Sequence, residues 1–134
     1  MSSPPALLPP LCGPRIGQTD PILVILPEWL DKIYNEGKDW EIRDKPCKKH
    51  CGGKLWLAAS ESKAVSGHAV VKAWHGPLTE EEWAANRSRH LVEGPRMCGD
   101  STYAWELTCV TREPVDIPIV RKKGSIGIQL GPGM

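Results

Sequence analysis

From Gly37 to Asp44 the chain reads Gly-Lys-Asp-Trp-Glu-Ile-Arg-Asp, which brings Lys38, Glu41 and Arg43 close together in sequence. Side chains alternate along a strand, so Glu41 and Arg43 share one face, Trp40 and Ile42 take the other, and Lys38 sits near the rim. A carboxylate and cations converging on one mouth suit a polar base. The carboxylate accepts from an exocyclic amine, and the cations meet a carbonyl or a phosphate. A lysine desolvated in such a cleft can also shed its proton and act as base or nucleophile, which makes Lys38 and Glu41 the candidate catalytic groups. The plainer alternative is a solvated strand edge whose ion pair is worth little.

More positive charge lies nearby. Lys45, Lys48, Lys49, His50 and Lys54 follow Arg43, and Arg121, Lys122 and Lys123 form a second group. Lys48, Lys49 and Lys122 are the candidates for phosphate contact, against the alternative of ordinary solvated surface. Arg87, Arg89 and His90 add charge to a helical stretch. Trp40, Trp74 and Trp105 offer flat faces on which a base can stack, with Trp105 the candidate of choice, although its strand position also suits the core. Ser60 ends an apolar run, where its hydroxyl can face a mouth or simply close a strand. Cys47 and Cys51 flank Lys48-Lys49-His50. They are two of the four ligands tetrahedral zinc usually needs, with no second pair in sequence, so a loop carrying reduced thiols is the expectation and no metal or cofactor is assigned.

Length and composition narrow the class. The 134 residues carry a formal net charge of +1, so no global field draws the chain onto nucleic acid or a membrane, and any such contact must be local. Six tryptophans and no phenylalanine are unusual. The start lacks a basic stretch followed by an apolar core, and no apolar run spans a membrane. The expectation is an intracellular, monomeric protein with free thiols. Gly-x-Ser-x-Gly and phosphate-cradling glycine motifs are missing, which argues against dinucleotide or ATP chemistry.

The elements that must hold these residues follow from pattern. Residues 1–20 are rich in Pro and Gly and read as a tail; 21–131 read as one domain; 132–134 read as a second, short tail. Ile22–Leu26 is a buried strand. Pro27 opens a helix through Trp29, Leu30, Ile33 and Tyr34 that Gly37 ends. Strands are expected at 38–43, 54–60, 65–74 (entered through a Ser66-Gly67 turn), 103–112 and 126–130, with a short extended piece between Pro114 and Pro118. Thr79 with Glu82 makes a capping box for a helix reaching toward His90. Two or three short helices cannot cover both faces of a parallel sheet, so the fold class is α+β, mainly β: a small barrel of mixed, mostly antiparallel strands.

The ordered set Ile25-Leu26-Pro27-Glu28-Trp29, Gly37-Lys38-Asp39-Trp40-Glu41-Ile42-Arg43, Leu57-Ala58-Ala59-Ser60, Leu78-Thr79-Glu80-Glu81, Tyr103-Ala104-Trp105-Glu106-Leu107 and Pro118 to Gly127 resembles an ASCH domain over about residues 22–130. That resemblance implies a PUA-like β-barrel and the handling of RNA or nucleosides. Some members of the family are amidohydrolases acting on an acetylated cytidine, some are reported to cleave RNA, and others only bind. The hydrolases use a Lys, a Thr and a Glu. Lys38 matches the first, Glu41 stands at the Thr position, and Asn86 stands near the Glu position with Glu82 one turn before it.

The expected function is therefore recognition of RNA or a modified nucleotide by a charged cleft, with Lys38-dependent nucleoside hydrolysis or RNA cleavage as the alternative. A zinc-stabilised interaction domain is the third and weakest reading.

Overall fold

A computed structural model describes residues 20–118 and 127–130. The expected tails, Cys12 and Arg121–Lys123, including Lys122, lie outside the described residues. In chain order the elements are β1 (Pro21–Ile25), α1 (Pro27–Asn35), β2 (Trp40–Arg43), β3 (Lys54–Ala59), β4 (Ala64–His75), α2 (Glu80–Ala85), α3 (Arg87–His90), β5 (Tyr103–Pro118) and β6 (Gly127–Leu130). The strands form one sheet in the order β2-β5-β4-β3-β1-β6. The β1/β3 pair is parallel and the others are antiparallel, as the mixed, mostly antiparallel expectation had it.

The sheet curls. The Arg43 guanidinium, on edge strand β2, donates to the Val24 carbonyl of β1 near the opposite edge at 2.8 Å. The inside holds Leu23, Ile25, Leu55, Leu57, Val71, Trp105 and Leu107, with Leu30 and Ile33 of α1 as the plug. Ile22, Val24, Trp56 and Ala58 point outward yet are also covered, which is why β1 and β3 read as unbroken apolar runs. A third cluster packs Trp40 and Ala104 on the outer face against Leu78, Trp83 and Val92 of the α2–α3 region. The half-open barrel is thus filled from inside by one helix and backed at one edge by two short ones.

Local departures from the sequence reading have physical causes. Ser66 and Gly67 lie inside β4 and do not make a turn; the reversal falls between β3 and β4, at 60–63. A Cβ on Gly67 would strike the Thr111 carbonyl and the Tyr34 hydroxyl, so glycine is there for close approach. The pieces 103–112 and 114–118 are one strand, whose pairing register with β4 shifts where Cys109 takes φ 54°. The 79–90 helix is two helices: Thr79 and Glu82 cap α2 reciprocally, and Asn86 separates α2 from α3. The β2 ladder begins at Trp40, not at residue 38.

Gly67→Ala is therefore expected to destabilise the fold by ~1–3 kcal/mol through overpacking, which a urea midpoint would reveal. An unchanged midpoint would mean that β4 and β5 do not approach as closely as described.

Candidate functional site

The site begins at the end of α1. Gly37, at φ 80°, reverses the chain, and the amides of Glu36 and Lys38 both donate to the Lys32 carbonyl. This turn sends Lys38 inward. Its residue exposure is 2%, so it is buried and not at the rim where its sequence position suggested. The ammonium donates to the His90 carbonyl at 2.5 Å and lies 5.1 Å from the centre of the half-buried Trp29 ring. Burial pushes its pKa down to about 8, while the Glu41 carboxylate pulls in the opposite direction.

Glu41 and Arg43 share a face, as alternation required. Glu41 is buried and Arg43 half-buried. Both Nη2 and Nε of Arg43 meet Glu41 Oε2, at 2.9 and 3.1 Å. Trp105, opposite Glu41 in the β2/β5 register, is only 3% exposed. Its ring lies 5.8 Å below the Arg43 guanidinium and its Nε1 donates to the Lys45 carbonyl. Of the two roles open to it, Trp105 fills the core. The half-buried aromatics of this inner face are Trp74, next to Trp105 in register, and Tyr103, next to Arg43, with ring centres 6.0 Å apart. Sequence reading did not single out Tyr103; its place two residues before Trp105, hence on the same strand face, was the signal that could have found it.

Trp40 points to the other face and is buried there, stacked on His75 at 4.8 Å. Around it His75, Lys72 and Arg89 surround Glu106, and Arg89 also reaches Asp39. The His75 hydrogen bond and the nearby cations hold the Glu106 carboxyl below its usual range.

Lys48 and Lys49 are exposed on the 44–53 loop, which the Trp105–Lys45 bond anchors at its start. At its end, Gly52 donates to the Val71 carbonyl and Val71 to that of Gly53. Cys47 turns from this loop into the core, where burial raises its pKa, while the exposed Cys51 donates to the Lys72 carbonyl. Among the described residues no group of three or more His, Cys, Asp or Glu side chains is arranged to hold a metal. Ser60 is half-buried at the end of β3, its amide on the Ile25 carbonyl. Glu82 spends its carboxylate on the α2 cap, and the Asn86 amide on the Glu82 carbonyl, so neither gives Lys38 an acid; the carboxylates that act on it are Glu41 first and Asp39 second.

No protein-family model matches the chain, and no curated protein does. Solved structures do. Crystal structures of ASCH from Zymomonas mobilis superpose on it at a TM-score of 0.63 with 16% identity, over 76% of this chain and 75% of that one. A serine-to-alanine variant of that protein gives 0.66 at 14%, over 84% and 88%, and a tyrosine-to-phenylalanine variant 0.57 at 17%, over 70% and 72%. The chain has the ASCH fold. At such identities the match speaks for architecture: a small PUA-like α+β barrel, as the sequence resemblance implied. Within that ASCH fold, Lys38, Glu41 and Arg43 lie where α1, β2 and β5 meet. No helix among the described residues is long and apolar enough to cross a membrane.

Moving the lysine pKa from 10.5 to about 8 costs the charged form about 3 kcal/mol. The unfolded chain holds this proton more tightly, so the penalty is complete below the folded value, is relieved as pH rises from 8 to 10.5, and is gone above. Lys38→Met is thus expected to be no less stable than wild type at neutral pH, with its relative advantage shrinking across that window. Denaturant midpoints measured at several pH values test this; a large, pH-independent loss in the variant would contradict it.

Proposed function

We propose that this chain is a nucleic-acid-binding module that takes RNA or a modified nucleotide into the cleft of Lys38, Glu41 and Arg43. The observation that carries the reading is Lys38 itself, a buried ammonium held beside a buried carboxylate and a guanidinium. Charge buried at such cost is a weak way to stabilise a barrel, because well-packed apolar residues serve at least as well. Groups of this kind concentrate where a protein recognises or transforms something.

The chemistry fits a base. Two cations and one carboxylate leave the cleft net positive, suited to carbonyl, ring-nitrogen or phosphate acceptors, while Glu41 accepts from an exocyclic amine. Trp29, Trp74 and Tyr103 supply half-buried flat faces, with Trp105 packed beneath Arg43 as support. Ser60 adds a hydroxyl at the end of β3. Lys48, Lys49 and Lys122 meet the backbone phosphates. The family resemblance in sequence supports the same class of ligand.

A second reading, nucleoside hydrolysis or RNA cleavage, is favoured by the depressed Lys38 pKa, which leaves part of the amine neutral near physiological pH. Against it, the hydrolase threonine and glutamate positions hold Glu41 and Asn86. Acylated cytidines and RNA incubated with wild type and Lys38→Met discriminate the two. Turnover that rises through pH 8 and vanishes in the variant supports catalysis; none above the variant's background leaves recognition.

For binding, Lys38→Met is expected to weaken a short mixed-sequence single-stranded RNA by roughly tenfold or more while remaining folded. Fluorescence anisotropy that shows equal affinities would remove the cleft from the interface. Lys48→Ala and Lys49→Ala should weaken all sequences alike and lower the salt slope of binding by about one each. An unchanged slope would take the loop off the phosphates.

A further inference from the structure

α3 has four residues, and beyond the Arg87 carbonyl, which accepts the Leu91 amide, it is too short for its last carbonyls to find helical partners. Its last two are satisfied by the segment that carries the cleft. The Arg89 carbonyl accepts the Asp39 amide at 3.0 Å, and the His90 carbonyl accepts the Lys38 ammonium. The negative end of the helix thereby faces the buried cation.

What fixes that end is the His90 ring, which is 0% exposed. Its Nδ1 is 3.0 Å from the Val92 amide nitrogen, and an amide N–H only donates, so Nδ1 carries no proton. Its Nε2 lies 2.8 Å from the Trp83 carbonyl, which only accepts, so Nε2 carries one. The ring also stacks on Trp83 at 3.7 Å and 14°. A single neutral tautomer thus ties Trp83 of α2 to Val92, just beyond α3, and Leu91, at φ 55°, ends α3 between His90 and Val92. A second proton on the ring would aim Nδ1–H at the Val92 N–H and break the clamp.

We propose that His90 is a positioning residue for Lys38: its neutral imidazole clamps the end of α3, keeping the His90 carbonyl under the ammonium, and protonation of the ring releases Lys38 from its place in the cleft. The inference rests on the reading of Lys38 as the ligand-binding cation, and adds an acid-sensitive control of that same site. The charged groups facing His90 are Lys38, from the α1–β2 turn, and Arg87, from α3. Burial foremost, and then these two positive charges, hold the imidazole below its ordinary range; the Trp83 carbonyl opposes them. Lys38 is faced in turn by Glu41, Asp39, Lys32 and Arg43. Because the folded-state value is depressed, the clamp is complete above pH 6.5 and is lost as pH falls below it.

The test is an NMR titration of the full chain, following the His90 ring nitrogens and the Lys38 side chain, with RNA affinity measured in parallel. At neutral pH the ring nitrogens should show protonated Nε2 and bare Nδ1. On acidification the His90 and Lys38 signals should move with one midpoint below 6.5, and affinity for the short single-stranded RNA should fall at least roughly tenfold through it. A Lys38 signal that stays put while His90 titrates overturns the proposal. His90→Gln keeps an amide N–H for the Trp83 carbonyl and cannot be charged, so it should lack the acid limb; a limb at the wild-type midpoint overturns the proposal too. If Lys38 follows His90 but RNA binds at no pH, the positioning role stands and the RNA reading falls.

Discussion

The guanidinium of Arg43 joins parts of the fold that the backbone leaves apart. β2 and β1 are not paired, and the sheet order leaves a seam between its edges. Arg43 crosses that seam to the Val24 carbonyl, holds Glu41 on its other side, and rests over Trp105. A planar cation with donors in a fixed fork can do this; a lysine, as a point charge, cannot hold both partners in one plane. The Glu41 carboxylate is therefore held in one orientation by the same guanidinium that ties the two sides of the half-open barrel together.

The same economy recurs at Lys38. Its place is set from both ends of the α1–β2 turn: by Gly37 and the Lys32 carbonyl on one side, and by α3 on the other. α3 is too short to be stable alone, and in this fold its role is to present carbonyls. The outer-face group of Trp40, His75, Glu106 and Arg89 backs the strand from behind. The two faces of β2 thus carry opposite economies: apolar stacking with surface ions outside, buried charge inside.

Much of this was legible in the residues. Alternation from Trp40 to Arg43 separated the two faces correctly, because period two is enforced by the pleat. The apolar runs of β1 and β3 announced strands covered on both sides. Pro27, Gly37 and the Thr79–Glu82 box marked helix ends by local chemistry. What sequence withheld was set by distant partners. Lys38 looked like a rim residue because nothing in its neighbourhood shows a carbonyl fifty residues away. Ser66-Gly67 looked like a turn because the demand for a missing side chain comes from Thr111 and Tyr34. His90 looked like surface charge beside Arg87 and Arg89, since its neutrality depends on two backbone groups that flank it only after folding. Trp105 was balanced between two roles that local pattern cannot separate.

Cys47 lies in the wall of the core, while Cys51, four residues on, faces solvent. The pair gives the molecule an internal clock. A thiol reagent meets the exposed outer sulfur directly, but the buried inner one only when the 44–53 loop that carries it opens. The lag between the two measures how often that loop, anchored on the Trp105 that lies beneath Arg43, comes apart.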